Sequence, residues 1–430
     1  MTAAQTLLLP NLGAEEGNDW RAYSSQPATR VAAHLWSLLY SANAQLYVPS
    51  TNDPKGPESF RAPSAEDGWP VALGIRPSQA AYPWIETPGA VIPWLMSPTL
   101  ADTIGFDLGL RVEMPDSQIV AIVHDKAFSL ESARDLDLIP ACLASLSEVL
   151  SPSDLADYDE TIRRLTTRLS QWPDWTGQRF TLKPRFGSSG RGRVAGARTV
   201  DTEAIRGALP RLAQRGGAIF EPWLDRRTDL SVCFHLPRPG ASDATGPLPT
   251  LLGSLEMLAT PSGLYRGHCG EFDHRGRIFS GHREDETLRA QAASLAGVAK
   301  QTGYFGPCGV DAFTFVKNSG NDAREHLRPA VEFNARVTMG LVALGILRRA
   351  IPSRGDALGI EPGDRRAFLL GMLGENADQI AREISQQADS LMAPLDLSSS
   401  KSESSAPKPF LFFSRDLESL RKAYRDQVGC

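Results

Sequence analysis

The sequence lacks the features that mark several broad classes of protein. Nowhere in its 430 residues does an apolar run approach the roughly 18 residues that cross a bilayer. The segment from Met1 to Gly13 has no basic region followed by a long apolar stretch, as a signal peptide would have. The five cysteines are scattered and form no Cys-x-x-Cys pair, which favours a reduced compartment. We therefore expect a cytoplasmic protein with no membrane partner.

An excess of positive charge is also missing. The chain has 45 Lys and Arg residues against 50 Asp and Glu residues, giving a net charge of -5. Proteins that bind nucleic acid through its backbone normally carry a basic surplus or a basic stripe. We therefore expect no nucleic-acid partner. The apolar fraction of 42% is ordinary for a globular protein, and the length favours two or three domains.

Strand and helix patterns are present along most of the chain. Thr6 to Gly13 predicts a short buried strand with a glycine turn, and Thr29 to Ala42 has apolar residues at helical spacing. Gln118 to His124 is rich in β-branched residues and predicts a strand, followed by a helix from about Ser129. Further strands are predicted at Phe180–Pro184, Ala218–Glu221, Leu230–His235, Val310–Val316 and Ala330–Asn334, and further helices at Thr202–Arg215 and Thr287–Gln301. Strands exceed a regular βαβ alternation, which favours an α+β nucleotide domain.

Composition shifts divide the chain into predicted segments. Residues 1–118 are predicted to form an N-terminal α/β domain, with irregular structure and short strands between Thr51 and Pro98, and residues 119–350 a second, larger region. Residues 351–396 are a C-terminal helical extension. Residues 397–408 are serine-rich and predict a linker or loop. Residues 409–430 predict a short strand and an amphipathic helix that dock back.

A glycine-rich loop with a preceding lysine is the strongest local motif. Lys183 ends a predicted strand, and the loop that follows contains Gly187, Ser188, Ser189 and Gly190. Glycines allow backbone N–H groups to approach phosphate oxygens, and a lysine ammonium can contact the same oxygens. The loop contains neither a Walker A motif nor a Gly-x-Gly-x-x-Gly fingerprint. Taken alone, it could equally be a basic surface turn.

A group of oxygen ligands follows near residue 330. Asp311 lies in one predicted strand, while Glu332 and Asn334 share a face of the next, and a polar turn joins the two strands as in a hairpin. Carboxylate and amide oxygens suit Mg²⁺ better than zinc or copper. A solvated hairpin face is the alternative.

Taken together and in this order, the motifs between about Ile119 and Leu347 resemble the ATP-grasp superfamily, which includes D-alanine:D-alanine ligase, biotin carboxylase and carbamoyl phosphate synthetase. The resemblance implies an ATP-grasp fold in which residues 119–350 form the nucleotide and metal-binding region behind an N-terminal pre-ATP-grasp domain, residues 1–118. It also implies ATP and Mg²⁺ as cofactors, with Mn²⁺ as an alternative metal. Lys126 and Lys183 would contact the phosphates, and the loop at Gly187–Gly192, including Ser188, Ser189 and Gly190, would close over them.

The resemblance extends to the adenine and metal sites. Glu221, with the backbone at Trp223 and Leu224, would hold adenine, and Asp229 would hold the ribose. Asp311, Glu332 and Asn334 would bind the metal, as the hairpin pattern itself suggests.

An arginine is also implied near the transferred phosphoryl group. The tract Glu332-Phe-Asn-Ala-Arg336 is similar to the Glu-x-Asn-x-Arg form of biotin carboxylase and carbamoyl phosphate synthetase. The D-alanine ligases instead place an arginine two residues before the first metal carboxylate, where this chain has Gly309. Arg336 and Arg266 both remain candidates, because either guanidinium could neutralise phosphoryl oxygens.

The resemblance implies a ligase that activates a carboxylate as an acyl phosphate for attack by an amine. Its partners would be small-molecule carboxylate and amine substrates, and assembly into a homodimer is left open. A phosphotransferase and a non-catalytic ATP-binding scaffold are the alternatives, although keeping both lysines and three metal ligands argues against a decayed copy. No Met-Lys-Met tract for biotin is present. A zinc site at His268 and Cys269, with His274 and His282, is a weaker alternative, since the spacing matches no standard zinc motif.

Overall fold

A computed structural model describes most of the chain beyond residue 114 and parts of the chain before it. The described residues are 6–16, 26–40, 44–49, 57–61, 81–82, 90–97, 100, 111–112, 115–187, 190–238, 248–260, 263–319, 322–354, 360–395 and 406–430. Ser188 and Ser189 and most of the predicted linker at 397–408 lie outside them.

The N-terminal strands form a mainly parallel sheet in the order β3-β2-β1-β4-β5. Its elements are β1 (Thr6–Leu9), α1 (Pro27–Ser37), β2 (Ala44–Pro49), β3 (Pro57–Arg61), β4 (Ala90–Pro93) and β5 (Arg111–Val112). Strand β1 pairs in parallel with β2 and β4, and α1 buries Val31, Leu35 and Trp36. This α/β unit agrees with the pattern predicted for the start of the chain.

The predicted strand at Gln118–His124 is wrong, because this segment is helical. Helix α2 spans Ser117–His124, and the Asp116 side chain caps it by accepting a hydrogen bond from the backbone N–H of Gln118 at 2.7 Å. Val120 and Val123 are buried, three residues apart as on one helix face, while Ile122 is 54% exposed. Helix α3 (Lys126–Asp135) follows at once, capped by Asp125.

A small antiparallel sheet comes next, in the strand order β6-β9-β7-β8. Its strands are β6 (Glu148–Leu150), β7 (Arg179–Pro184), β8 (Val194–Ala197) and β9 (Ala218–Pro222). Helices α4 (Tyr158–Ser170) and α5 (Glu203–Gln214) each bury an apolar stripe. Phe180 and Phe220, from paired strands, are buried and tilted against each other at 5.4 Å between ring centroids. The small sheet therefore has an apolar core of its own.

A larger antiparallel sheet follows in the order β15-β14-β10-β11-β12-β16-β18-β17, with β13 paired to β12. Its strands are β10 (Asp225–Leu236), β11 (Thr250–Ala259), β12 (Tyr265–Asp273), β13 (Ile278–Phe279), β14 (Gly306–Ser319), β15 (Asp322–Asn334), β16 (Arg365–Leu373), β17 (Leu391–Pro394) and β18 (Lys408–Ser414). Helices α6 (Asp285–Gln301), α7 (Met339–Arg354), α8 (Ala377–Gln387) and α9 (Leu417–Val428) accompany it. The predicted hairpin is formed by β14 and β15.

The C-terminal region completes this sheet. Residues 351–396, predicted as a helical extension, contain strands β16 and β17 as well as helix α8. The predicted final strand and amphipathic helix are β18 and α9. The buried carboxylate of Glu256 pairs with Arg421 at 2.5 Å and Arg425 at 2.8 Å, which anchors α9 to β11. The division into domains stays a prediction.

No helix within the described ranges is long and apolar enough to cross a membrane.

Candidate active site

Two carboxylates lie opposite each other on the β14–β15 hairpin. Asp311 and Glu332 occupy paired register positions on the two strands, and the side-chain amide of Asn334 donates a hydrogen bond to Oδ2 of Asp311 at 2.9 Å. The predicted metal ligands are thus brought together by antiparallel pairing, because opposite residues of neighbouring strands project from the same face. The Asn334 amide orientation follows from this hydrogen bond.

The electrostatics of this carboxylate pair favour a cation. Burial, and then the charge of Glu332, raise the pKa of Asp311 to about 6, although Asn334 and Arg336 lower it. Burial also opposes ionisation of Glu332, yet the Lys126 ammonium and the other nearby positive groups hold its pKa below the usual range. A half-buried site with two carboxylates and one amide suits Mg²⁺, whose ligands are oxygen atoms. The residues present therefore fit the metal.

Lys126 lies at the first turn of helix α3, beside these carboxylates. Its Nζ atom is 2.9 Å from Oε1 of Glu332 and also donates a hydrogen bond to the carbonyl oxygen of Gly187. Helix α3 is fixed to strand β15, which carries the predicted metal ligands Glu332 and Asn334. The backbone N–H of Phe333 in this strand donates a hydrogen bond to Oγ of Ser129 at 2.8 Å. Lys126, the predicted phosphate ligand, consequently contacts both the predicted metal ligand Glu332 and the start of the glycine loop at Gly187.

Lys183 lies at the end of β7 and pairs with Glu221 on the neighbouring strand β9. The distance from Lys183 Nζ to Glu221 Oε1 is 2.7 Å. Burial lowers the pKa of Lys183 and the charge of Arg328 lowers it further, while Glu221 opposes both. The Glu221 side chain is only 3% exposed. Its role in holding adenine stays a prediction, and the contact described for it here is with the Lys183 ammonium.

Arg328 is a residue of the site that the sequence patterns did not identify. Its Nη2 atom lies 2.9 Å from Oε2 of Glu221, so that the two carboxylate oxygens of Glu221 contact different cations. Burial would raise the pKa of Glu221, but Arg328 and Lys183 outweigh it and hold the pKa at about 2. An arginine within the largely apolar strand Leu327-Arg-Pro-Ala-Val331 was the available signal. This contact joins the small sheet to the large one.

The glycine loop has the backbone that its composition predicts. Gly187, Gly190 and Gly192 all have positive φ, at 132°, 67° and 77°. The guanidinium of Arg193 lies 4.3 Å from the ring centroid of Trp223, which links the loop to the strand connection between β9 and β10.

The predicted adenine and ribose positions lie along that connection. The backbone N–H of Trp223 donates to the carbonyl oxygen of Arg179 at 2.9 Å, and the carbonyl oxygen of Leu224 accepts from Arg226 at 3.1 Å. These two backbone groups therefore already have partners within the protein. Asp229 stands farther along β10 on the same face as Asp311, and its Oδ1 atom is 3.2 Å from Arg226.

The two candidate arginines lie in different places. Arg336 follows the predicted metal ligand Asn334, and its charge lowers the pKa of Asp311. The backbone oxygen of Arg266 accepts a hydrogen bond from Tyr424 of α9, and its charge acts on Tyr424 and Cys430. The contacts described for Arg266 thus connect it to the C-terminal helix and not to the carboxylate pair. They favour Arg336 for the role near the phosphoryl group.

The zinc alternative finds no support among the described residues. There, no group of three or more His, Cys, Asp or Glu side chains is arranged to hold a metal ion. His268 instead accepts or donates a hydrogen bond with the hydroxyl of Tyr265 at 2.8 Å. His282 lies 3.8 Å from Glu325.

Comparison with known proteins gives no match to a family model or to a curated protein sequence. Solved structures are similar in fold. N5-carboxyaminoimidazole synthetase from Staphylococcus aureus has a TM-score of 0.51 at 12% identity, over 100% of this chain and 98% of that one. An ADP complex of N5-carboxyaminoimidazole ribonucleotide synthetase has a TM-score of 0.50 at 14% identity, over 99% and 98%.

A biotin carboxylase structure is similar to the same extent. It is the biotin carboxylase domain dimer of Hydrogenobacter thermophilus 2-oxoglutarate carboxylase, in complex with MgADP, ADP and bicarbonate. Its TM-score is 0.50 at 15% identity, over 100% of this chain and 90% of that one. Identities this low establish likeness of fold, and the likeness covers the N-terminal unit as well as both later sheets. The chain therefore has the ATP-grasp fold with an N-terminal α/β domain, as the sequence motifs predicted.

Proposed function

We propose that this protein is an ADP-forming ligase that activates a carboxylate with ATP and joins it to an amine. The proposal is carried by one observation, the paired carboxylates Asp311 and Glu332, with Lys126 in contact with Glu332. A half-buried pair of like charges still costs stability unless a ligand or a reaction requires it. Lys183 and the glycine loop stand on the small sheet beside this pair, where the phosphates of a nucleotide would meet positive charge.

The nucleotide and the metal would be held by the residues predicted for them. Lys126, Lys183 and the loop N–H groups would contact the phosphates, and Asp311, Glu332 and Asn334 would hold Mg²⁺. Bound there, Mg²⁺ would neutralise part of the charge on the phosphate oxygens. Structural neighbours were crystallised with ADP or MgADP, which supports this choice of nucleotide and metal.

The first chemical step needs positioning and charge neutralisation more than a protein nucleophile. An oxygen of the substrate carboxylate would form a bond with the γ-phosphorus of ATP, and the bond from that phosphorus to the bridging oxygen would break, releasing ADP. Arg336 and Lys183 would hold the oxygens of the transferred phosphoryl group through charge-assisted hydrogen bonds. Accordingly, no serine or cysteine is assigned as a nucleophile.

The second step would form the amide. The amine nitrogen would bond to the carbonyl carbon of the acyl phosphate, the bond from that carbon to the phosphate oxygen would break, and the nitrogen would lose a proton. The substrates would thus be small molecules, a carboxylate and an amine. Bicarbonate, which the similar biotin carboxylase domain holds, belongs to the class of small oxyanions to be tested first. We place this activity in the cytoplasm. Whether the protein assembles into a homodimer is left open.

Calorimetric titration with ATP, with and without Mg²⁺, tests the nucleotide and metal sites. Glu332→Gln should weaken the magnesium-dependent affinity for ATP by at least about tenfold, or about 1.4 kcal/mol. Glu325→Gln is the matched control, because Glu325 lies on the same strand β15 and is 28% exposed in its side chain. ATP affinity that depends neither on Mg²⁺ nor on Glu332 would contradict the metal assignment. It would favour the alternative of a non-catalytic ATP-binding scaffold.

Release of ADP and phosphate, assayed against pools of carboxylic acids and amines, tests the reaction. A ligase releases ADP only when a carboxylate is present and forms its amide only when an amine is added as well. Transfer of phosphate to an acceptor with no amine requirement would identify the phosphotransferase instead.

A further inference from the structure

An acidic residue of the N-terminal unit contacts the arginine of the Glu-x-Asn-x-Arg tract. Glu15 lies in the loop after β1, and its Oε1 atom is 2.6 Å from Nε of Arg336. Both side chains are largely buried, with 3% of the Glu15 side chain and 13% of the Arg336 side chain exposed. Charge attraction holds this pair, since an ion pair between buried side chains is less screened than one in water and Nε of Arg336 has no partner at hydrogen-bond geometry among the described residues. Arg336 is therefore fixed from the N-terminal side.

The loop that carries Glu15 is itself fixed by backbone contacts. The side-chain amide of Asn11 donates to the carbonyl oxygen of Leu95 at 2.6 Å, and its carbonyl oxygen accepts from the Leu95 backbone N–H at 3.1 Å. Directly before Leu95, the carbonyl oxygen of Trp94 accepts a hydrogen bond from the backbone N–H of Val337 at 3.0 Å. The same short segment of the N-terminal unit thus holds Asn11, in the loop that leads to Glu15, and Val337, the residue after Arg336.

His124 holds this tract from a third direction. Its Nδ1 atom accepts a hydrogen bond from the backbone N–H of Ala335 at 3.3 Å, and its Nε2 atom lies 4.0 Å from Oε2 of Glu15. The backbone on both sides of Arg336 is therefore bound to other elements. The guanidinium is also held within its own tract, since Nη1 donates to the carbonyl oxygen of Val337 at 3.1 Å.

The role of Glu15 follows from these contacts. We propose that Glu15 is a positioning residue, which aims the guanidinium of Arg336 at the oxygens of the transferred phosphoryl group and so makes the N-terminal unit part of the reacting site. A guanidinium has five N–H donors in a rigid plane, so a carboxylate held beside Nε by charge attraction restricts the orientation of that plane and of its remaining donors. This inference rests on the proposed function, because that function assigns Arg336 to those oxygens.

The test uses the full chain and inorganic phosphate as the probe. The protein is saturated with MgADP, and phosphate is titrated in a calorimeter, so that the phosphate stands for the transferred group. Glu15→Gln keeps the size of the side chain and removes its charge. We expect the affinity for phosphate to fall about tenfold, the loss of one charge-assisted contact, while the affinity for MgADP stays within about twofold of the wild type.

A double-mutant cycle separates positioning from a general structural effect. Arg336→Met should weaken phosphate binding more strongly than Glu15→Gln, and adding Glu15→Gln to Arg336→Met should cause no further loss, since Glu15 acts only through Arg336. Glu286→Gln makes the same chemical change at an exposed position of α6 and should leave phosphate binding unchanged. If Glu15→Gln does not fold, Glu15→Asp replaces it, because it keeps the charge but withdraws it by one methylene group.

The results that would overturn the role of Glu15 differ from the result that would contradict the proposed function. Phosphate binding by Glu15→Gln that equals or exceeds that of the wild type overturns the inference, as do additive losses in the double variant. Wild-type protein that binds MgADP but no phosphate also overturns it, because Arg336 then holds no phosphoryl oxygens. Failure of the wild type to bind MgADP at all contradicts the proposed function itself.

Discussion

The Nζ atom of Lys126 lies 2.9 Å from Oε1 of Glu332, so a predicted phosphate ligand and a predicted metal ligand neutralise each other. The contact joins the first turn of helix α3 to the last strand of the β14–β15 hairpin. Each charge stabilises the other in a site that is otherwise crowded with carboxylates, since Asp311 occupies the position opposite Glu332. Nucleotide and metal would compete with this contact for the same two groups.

Replacement of Lys126 should therefore affect nucleotide binding. Lys126→Met removes one phosphate contact and leaves Glu332 next to Asp311 without its cation, so the affinity for MgADP should fall by about tenfold or more. Isothermal calorimetry measures this affinity. Lys422→Met is the control, because Lys422 is exposed on α9. Equal affinities for the two variants would exclude Lys126 from the phosphate site.

Removal of Arg328 should destabilise the protein strongly. Arg328→Met leaves the buried Glu221 carboxylate with Lys183 as its described cation partner, and breaking a buried ion pair costs about 3–5 kcal/mol. The free energy of unfolding in urea measures the loss. Arg324→Met changes an exposed arginine of the same strand and should cost less than about 1 kcal/mol. A similar small loss for both variants would show that the contact with Glu221 contributes little.

Stability should decrease as the pH falls below about 6.5. Burial lowers the pKa of His268 from 6.5 to about 3. Between these two values the unfolded chain binds a proton that the folded chain does not, so protons favour unfolding. One such group contributes a slope of up to about 1.4 kcal/mol per pH unit.

The contribution of His268 can be isolated by substitution. His268→Gln should reduce the difference in unfolding free energy between pH 7 and pH 5, whatever its effect on the absolute stability. His274→Gln, at an exposed position, should leave that difference unchanged. An unchanged pH dependence in His268→Gln would mean that its imidazole is protonated equally in both states.

Replacement by alanine should have opposite effects on the free energy of unfolding at two glycines of the small-sheet region. Gly217 has a φ of 109°, and a Cβ atom there would collide with the carbonyl oxygen of Leu150 on the neighbouring strand. Gly217→Ala should cost at least about 2 kcal/mol of unfolding free energy and disturb β9, which carries Glu221. Gly207 lies within α5 and has open space around it, so Gly207→Ala should stabilise by about 0.5–1 kcal/mol. Thermal unfolding of both variants and of the wild type measures whether Gly217→Ala is less stable and Gly207→Ala more stable than the wild type.

Local patterns predicted much of the fold because the residues that specify each element are close together in the chain. Alternation and β-branched residues predicted β14 and β15, and the intervening polar turn predicted their pairing. The same reasoning failed at Gln118–His124, where a short continuous apolar run fits a buried strand and a buried helix equally well. Asp116 decided the outcome by capping the helix, and packing of Val120 and Val123 stabilised it.

The sequence by itself determined the residue types of the site and their order: the lysines, the glycine loop and the acidic hairpin. It also indicated that Asp311 could join Glu332 and Asn334 if the two strands pair, whereas the register that places Asp311 opposite Glu332 came from the structure. Only the tertiary structure decided which distant groups meet. Glu221 contacts Arg328 across two sheets, and Glu15 contacts Arg336 from the N-terminal unit. Those contacts depend on sheet order and on the docking of the loop after β1, which no local spacing encodes.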